Sequence, residues 1–239
     1  MQNTNNILMI RPVQFTFNTE TAVNNHFHIL GVGNAESTQE KALKEFDAFV
    51  VKLKENDIEV TVINDTHQPH TPDSIFPNNW ISFHDNGTIV LYPRYAENRR
   101  AERKQHVLDE MSIKFSVTNT IDFTNYETEN IFLEGTGSMV LDRENKIAYA
   151  CISQRTHVKA LEDFCNKMNY TSCIFAAVDA NDFEIYHTNV MMSVADEYVL
   201  ICLDSIKKNE EREQIENLIT KTGKKIISIT IDQMNKFAG

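Results

Sequence analysis

"GSMVLDRENKIAYAC", residues 137–151, is an apolar run, a polar tetrapeptide and a second apolar run. Such a pattern predicts two short strands joined by a tight turn. The same pattern recurs on either side. Behind it come a helical stretch around 156–169 and the strand-like "SCIFAAV" (172–178). Upstream, "NWISFHDNGTIVLYP" (79–93) turns at "HDNG" and leads to a helix around 97–111 and the strand "IKFSVTN" (113–119). Downstream, "NVMMSVADEYVLICL" (189–203) turns at "ADE" and leads to a helix around 207–221 and "KKIISITI" (224–231). Three units of hairpin, helix and strand thus start at 79, 137 and 189, which are 58 and then 52 residues apart. A period of about 50 residues predicts a solenoid, a propeller or a ring of repeats.

The chain before residue 79 reads as part of a further unit. "ILMIRPVQF" (7–15) is a strand, "STQEKALKEFDAFVVKLKEND" (37–57) an amphipathic helix and "IEVTVIN" (58–64) a strand. Ser37 or Thr38 is placed to cap that helix, with Glu40 completing a capping box with Ser37. A polar loop with Pro69, Pro72 and Pro77 follows.

The composition agrees with one α/β domain over residues 1–239, 41% of them hydrophobic. A net charge of -11 argues against nucleic acid and anionic membrane as partners, since phosphate binding is driven by Lys and Arg. Cys151, Cys165, Cys173 and Cys202 are far apart and read as reduced core thiols. There is no basic leader at the start, and no apolar run near the length of a membrane span. The expectation is a soluble cytoplasmic protein.

Candidate chemistry lies at the mouths of the hairpins. Glu134 ends an apolar run and is followed by Gly135, Thr136 and Gly137, two of only seven glycines in the chain. Glycine lets backbone approach a ligand closely. Glu134 stands three residues before the second hairpin, His187 stands two before the third, and Asn79 opens the first. Repeats arranged around an axis bring such positions together at its centre. Taken singly, the glutamate also reads as solvated and the histidine as hydrogen-bonded scaffold. "HFH" (26–28) and "HQPH" (67–70) have no Cys or acid partner at metal-ligand spacing, so no metal is expected.

Five segments taken together carry a resemblance: "PDSIFPNNW" (72–80), "NRRAER" (98–103), "LEGTGSMVLD" (133–142), "SQRTH" (153–157) and "YHTNVMM" (186–192). They resemble the guanidino-group-modifying, or pentein, superfamily of arginine deiminases, dimethylargininases and amidinotransferases, with citrulline-utilisation hydrolases nearest. The resemblance implies an α/β propeller of five repeated units about a pseudo-fivefold axis. It also implies a Cys nucleophile, a His acid/base and an acidic residue, acting without a cofactor on a ureido or guanidino carbon. His187 matches the family histidine and Glu134 the acid. Asp73 matches a substrate-gripping acid, Phe76 a pocket wall, and Arg99 and Arg155 the residues that hold an amino acid's α-carboxylate; Arg100 is adjacent to Arg99 and can exchange roles with it. Without the family, "NRRAER" reads as an exposed helix start and "SQRTH" as a helix cap.

Asn79 and Asn189 stand where guanidinium-specific members carry Asp. An Asn amide can donate to a neutral ureido oxygen, which an ionised Asp cannot. Citrulline, hydrolysed to ornithine, carbon dioxide and ammonia, is therefore the expected substrate. The alternatives are arginine deiminase, dimethylargininase or amidinotransferase activity, or ligand binding without catalysis. The Gly-rich segment that carries the family's nucleophile is not found in these residues. The repeat period places such a unit beyond Gly239, so the expectation is an incomplete ring, inactive alone, with exposed strand edges through which copies can pair.

Overall fold

The computed structural model describes residues 2–23 and 35–239. His26 and His28 of "HFH" lie outside the described residues. These residues gather into two compact units, those within Thr4–Asp122 on one hand and Phe123–Gly239 with Gln2 and Asn3 on the other.

The first unit begins with β1 (Asn6–Arg11), α1 (Thr19–Ala22), α2 (Ala35–Glu55) and β2 (Glu59–Asn64). β1 and β2 are parallel, from Asn6 opposite Glu59 to Arg11 opposite Asn64. The strand expected over 7–15 stops at Arg11 because Pro12 has no N–H to carry the ladder on. α2 starts at Ala35, so Ser37 and Thr38 lie inside its first turn and do not cap it. Next come β3 (Ile81–Phe83), β4 (Thr88–Leu91), α3 (Glu97–Arg100), α4 (Gln105–Lys114) and β5 (Asn119–Asp122). β3 pairs antiparallel with β4, and β5 parallel with it. Their turn needs Gly87: its φ is +79°, and a Cβ there would sit 2.6 Å from the Ser116 carbonyl oxygen.

Two expectations fail in this repeat. The single helix of 97–111 is two helices, and the strand of 113–119 begins only at Asn119, because α4 runs on to Lys114. The alternation of Phe115 and Val117 that suggested a strand comes from packing. Both lie partly buried against a core of Ile10, Ile63, Trp80, Ile81, Ile89, Val107 and Met111.

The second unit holds two further repeats. The first has α5 (Gly135–Ser138), β6 (Val140–Asp142), β7 (Ile147–Cys151), α6 (Val158–Met168) and β8 (Thr171–Phe175). The next has β9 (Met192–Val194), β10 (Tyr198–Ile201), α7 (Asn209–Lys221), β11 (Lys225–Ser228) and the short α8 (Ile231–Met234). β8 ends at Phe175 rather than at the expected residue 178. Each repeat pairs its hairpin antiparallel and adds its last strand parallel. The hairpin is local, while the parallel strand requires the helix as crossover.

α6 shows how sequence becomes packing. Ala160, Leu161, Phe164 and Cys165 form its buried stripe, the spacing of one helical face. His157 Nδ1 accepts from the Lys159 N–H at 3.1 Å to start the helix. Asn169, at φ +57°, ends it in the left-handed conformation. The chain start is fastened into this unit: Gln2 Nε2 donates to the carbonyls of Leu141 (2.9 Å) and Val194 (3.0 Å), and Gln2 Oε1 accepts from the Arg143 N–H (2.7 Å).

Candidate active site

A single helical turn precedes the first strand of each hairpin: Pro77–Asn79, Gly135–Ser138 and Thr188–Val190. The residues at their N-caps are Phe76, Glu134 and His187. Glu134 and His187 thus occupy the same place in their repeats. Asn79 does not: it ends its turn, and its counterparts are Ser138 and Val190. The phase match read from sequence holds for two of the three residues.

Gly135 explains the glycine after the acid. Its φ is +49°, a conformation that costs a residue with a Cβ roughly 1–2 kcal/mol. Adopted at the first position of α5, it turns the chain sharply between the apolar run and the helical turn.

The Glu134 side chain has no solvent exposure, and His187 is only 4% exposed. His187 Nε2–H donates to Glu134 Oε2 at 2.7 Å. Arg155 Nη1 lies 3.6 Å from the same oxygen, and its guanidinium carbon lies 4.8 Å from the Tyr186 ring centroid. The Tyr186 ring is 4.8 Å from that of His187, tilted by 45°. A carboxylate removed from water is tolerable only when its oxygens meet donors or cations. Here an imidazole and a guanidinium converge on one oxygen. The arrangement holds the His187 ring in one orientation, with Nε2 on the carboxylate, as an acid/base histidine requires.

Two hydroxyls unmarked in the sequence complete this framework. Ser138 Oγ accepts from the Glu134 N–H and donates to the Arg155 carbonyl, both at 2.7 Å. Thr188 Oγ1 donates to the Ser138 carbonyl at 2.5 Å and accepts from the Cys151 N–H at 2.9 Å. The only sequence signal for either was its place inside a quoted motif, "LEGTGSMVLD" for Ser138 and "YHTNVMM" for Thr188. Asn189, in the Thr188–Val190 turn, is exposed.

The other named residues belong to the first unit. Asp73 Oδ2 accepts from Asn18 Nδ2 at 2.8 Å and from Thr21 Oγ1 at 3.4 Å, and lies 3.6 Å from Arg99 Nε. Arg99 is buried rather than at an exposed helix start. Its fork meets Glu102, Nε to Oε1 at 2.7 Å and Nη2 to Oε2 at 3.2 Å. Glu102 Oε2 also receives Arg94 Nη1 at 3.3 Å. Burial pushes the Glu102 carboxyl up from its ordinary range, against the downward pull of Arg99 and Arg94. Phe76 is half-exposed, its ring 5.9 Å from the Arg99 guanidinium carbon, and Asn79 is buried. Arg100 donates to the backbone carbonyls of Arg94 and Tyr95.

None of the cysteines has the surroundings of a nucleophile. All four are buried. Burial pushes the thiols of Cys151, Cys165 and Cys173 up to about 12, and that of Cys202 up as well. Among the described residues, no group of three His, Cys, Asp or Glu is placed to hold a metal ion. No helix among them is long and apolar enough to cross a membrane.

Solved structures of other proteins share this fold. The apo structure of ArgZ, an arginine dihydrolase from the ornithine-ammonia cycle in cyanobacteria, is similar with a TM-score of 0.69 and 16% identity, covering 98% of this chain and 31% of that one. The substrate-bound N-terminal domain of ArgZ gives 0.71 and 16%, covering 98% and 78%. A dimethylarginine dimethylaminohydrolase adduct with S-methyl-L-thiocitrulline gives 0.57 and 13%, covering 98% and 95%. At these identities the likeness is one of fold, and the chain spans about a third of full-length ArgZ. Residues 11–239 match the family model described as N,N dimethylarginine dimethylhydrolase, eukaryotic, and the chain belongs to that family. Comparison with curated proteins gives no match.

Proposed function

We propose that this protein hydrolyses a C–N bond of a small guanidino or ureido amino acid. The observation that carries the reading is the buried Glu134–His187 pair, joined at 2.7 Å, in a chain of this family. A thiolate adds to the central carbon, and His187 passes a proton to the departing amine. Water, deprotonated by the same imidazole, then releases the covalent intermediate. Glu134 orients His187 and balances its charge. Because the four cysteines are buried, the reading takes the thiolate from residues outside 1–239, in a further unit that closes the repeats into a five-unit propeller. Residues 1–239 alone are then inactive.

Within that class we favour citrulline. Asp73 and Glu134 already face Arg99 and Arg155, which lowers the gain from adding a guanidinium cation. Asn189 and Asn79 offer amide donors suited to a ureido oxygen. Asp73, Phe76, Asn79, Arg99, Arg155 and Asn189 carry the substrate-binding roles. The same proposal sets the enzyme in the cytoplasm, where free cysteines stay reduced, and lets copies pair through β5 and β11, whose residues are mostly exposed. The dimethylarginine hydrolases named above make dimethylarginine the second reading. The test is a panel of L-citrulline, L-arginine and N-dimethylarginine offered to the natural full-length protein, with ornithine, citrulline, ammonia and dimethylamine measured. Ornithine from citrulline supports the narrow reading, faster turnover of either guanidinium overturns it, and no C–N cleavage at all overturns the hydrolase.

A further inference from the structure

We infer that Thr188 is the positioning residue that fixes His187 against Glu134. The inference rests on the acid/base reading of that pair, but its geometry is independent of any substrate. Thr188 follows His187 directly and opens the turn Thr188–Val190. Its hydroxyl has one proton to give. The Ser138 carbonyl, at 2.5 Å, takes it in preference to Cys151 Sγ at 3.4 Å. The Cys151 thiol is itself directed at the Ile185 carbonyl, 3.4 Å away. The hydroxyl oxygen then accepts from the Cys151 N–H at 2.9 Å. Donor and acceptor are both used, and Thr188 is fully buried.

The significance lies in what these partners belong to. Ser138 is the last residue of the turn that Glu134 opens. Its own hydroxyl holds the Glu134 N–H at 2.7 Å. Cys151 ends β7, the second strand of the same hairpin. Thr188 is therefore a cross-tie from the histidine's turn to both flanks of the glutamate's repeat. The hydrogen bond of 2.7 Å between the two catalytic candidates is the end of a frame that Thr188 closes. Loops alone hold such a spacing poorly, and supporting hydrogen bonds of this kind are what keep reacting groups within a fraction of an ångström of working geometry.

The test uses the His187 ring N–H, read as a downfield proton resonance and assigned by its loss in His187→Gln. Thr188→Val keeps the volume and removes both hydrogen-bonding functions, while Thr188→Ser keeps them. The expected result is faster solvent exchange of the ring proton in Thr188→Val, by about tenfold, the factor that one lost hydrogen bond of ordinary strength allows. Backbone amide signals remote from the turn stay in place, and Thr188→Ser restores slow exchange. A folded Thr188→Val with the parent exchange rate overturns the inference. If the valine variant does not fold, Thr188→Cys, with its weaker donor and acceptor, takes its place under the same two outcomes. In the active full-length protein the valine variant lowers kcat and leaves KM unchanged; a rise in KM alone counts against positioning. Because the resonance needs no turnover, an inactive full-length protein with a Thr188-dependent ring proton would overturn the hydrolase reading and leave this one standing.

Discussion

At the scale of single residues, the site depends on conformations and ionisation states that ordinary side chains resist. Gly135 is the clearest case, since its φ of +49° strains any residue with a Cβ. Gly135→Ala is expected to destabilise the second unit by about 1–2 kcal/mol, seen as a lower urea midpoint. The thiols of Cys151, Cys165 and Cys173 ordinarily ionise near 9.0 and are pushed to about 12 when folded. Above pH 9 the unfolded chain gives up these protons while the folded chain keeps them. Stability therefore falls as pH rises from about 9 toward 12. Urea titrations at two alkaline pH values check this, and a flat profile across that window would refute it. Glu134 and His187 were legible as a pair because they stand at matching places before their hairpins; taken singly, neither residue is unusual. Ser138 and Thr188 were not legible, because a hydroxyl reveals its role only through the carbonyl it reaches.

At the scale of elements, the hairpin, helix and strand order read well because each piece is announced locally. "DREN" makes a turn, and the stripe Ala160, Leu161, Phe164 and Cys165 makes a helix face, wherever the chain lies. The failures came where tertiary packing took over. Ile113 looked like the first residue of a strand, yet it ends up exposed on α4, while Phe115 and Val117 rest on the core. Asn79 looked equivalent to Glu134 and His187, but the preceding turns differ in where their polar residue falls. The stability of α6 rests on its buried stripe. Leu161 has no exposure and Phe164 packs between Phe123 and Tyr170 with its ring tilted to both, centroids 6.4 and 5.7 Å away. Leu161→Ala is expected to cost about 2–5 kcal/mol, measured by urea unfolding. A loss below about 1 kcal/mol would mean that the surrounding residues close the gap.

At the scale of the whole chain, the repeats share one topology although their sequences differ, because the period of the pattern is what each repeat preserves. The division into two compact units was not visible in that pattern, since no glycine or proline linker marks Asp122. Nor was it visible that the first residues belong with the last unit. Gln2→Ala removes three hydrogen bonds to that unit and is expected to cost about 1–3 kcal/mol, read as a lower melting temperature. An unchanged melting temperature would show that the bonds are compensated by water. The fastening also orders events in time. Gln2 is synthesised 192 positions ahead of its partner Val194. Gln2 must therefore stay available while all the residues between the two are synthesised, so anything that traps this segment early delays the closing contact with Val194.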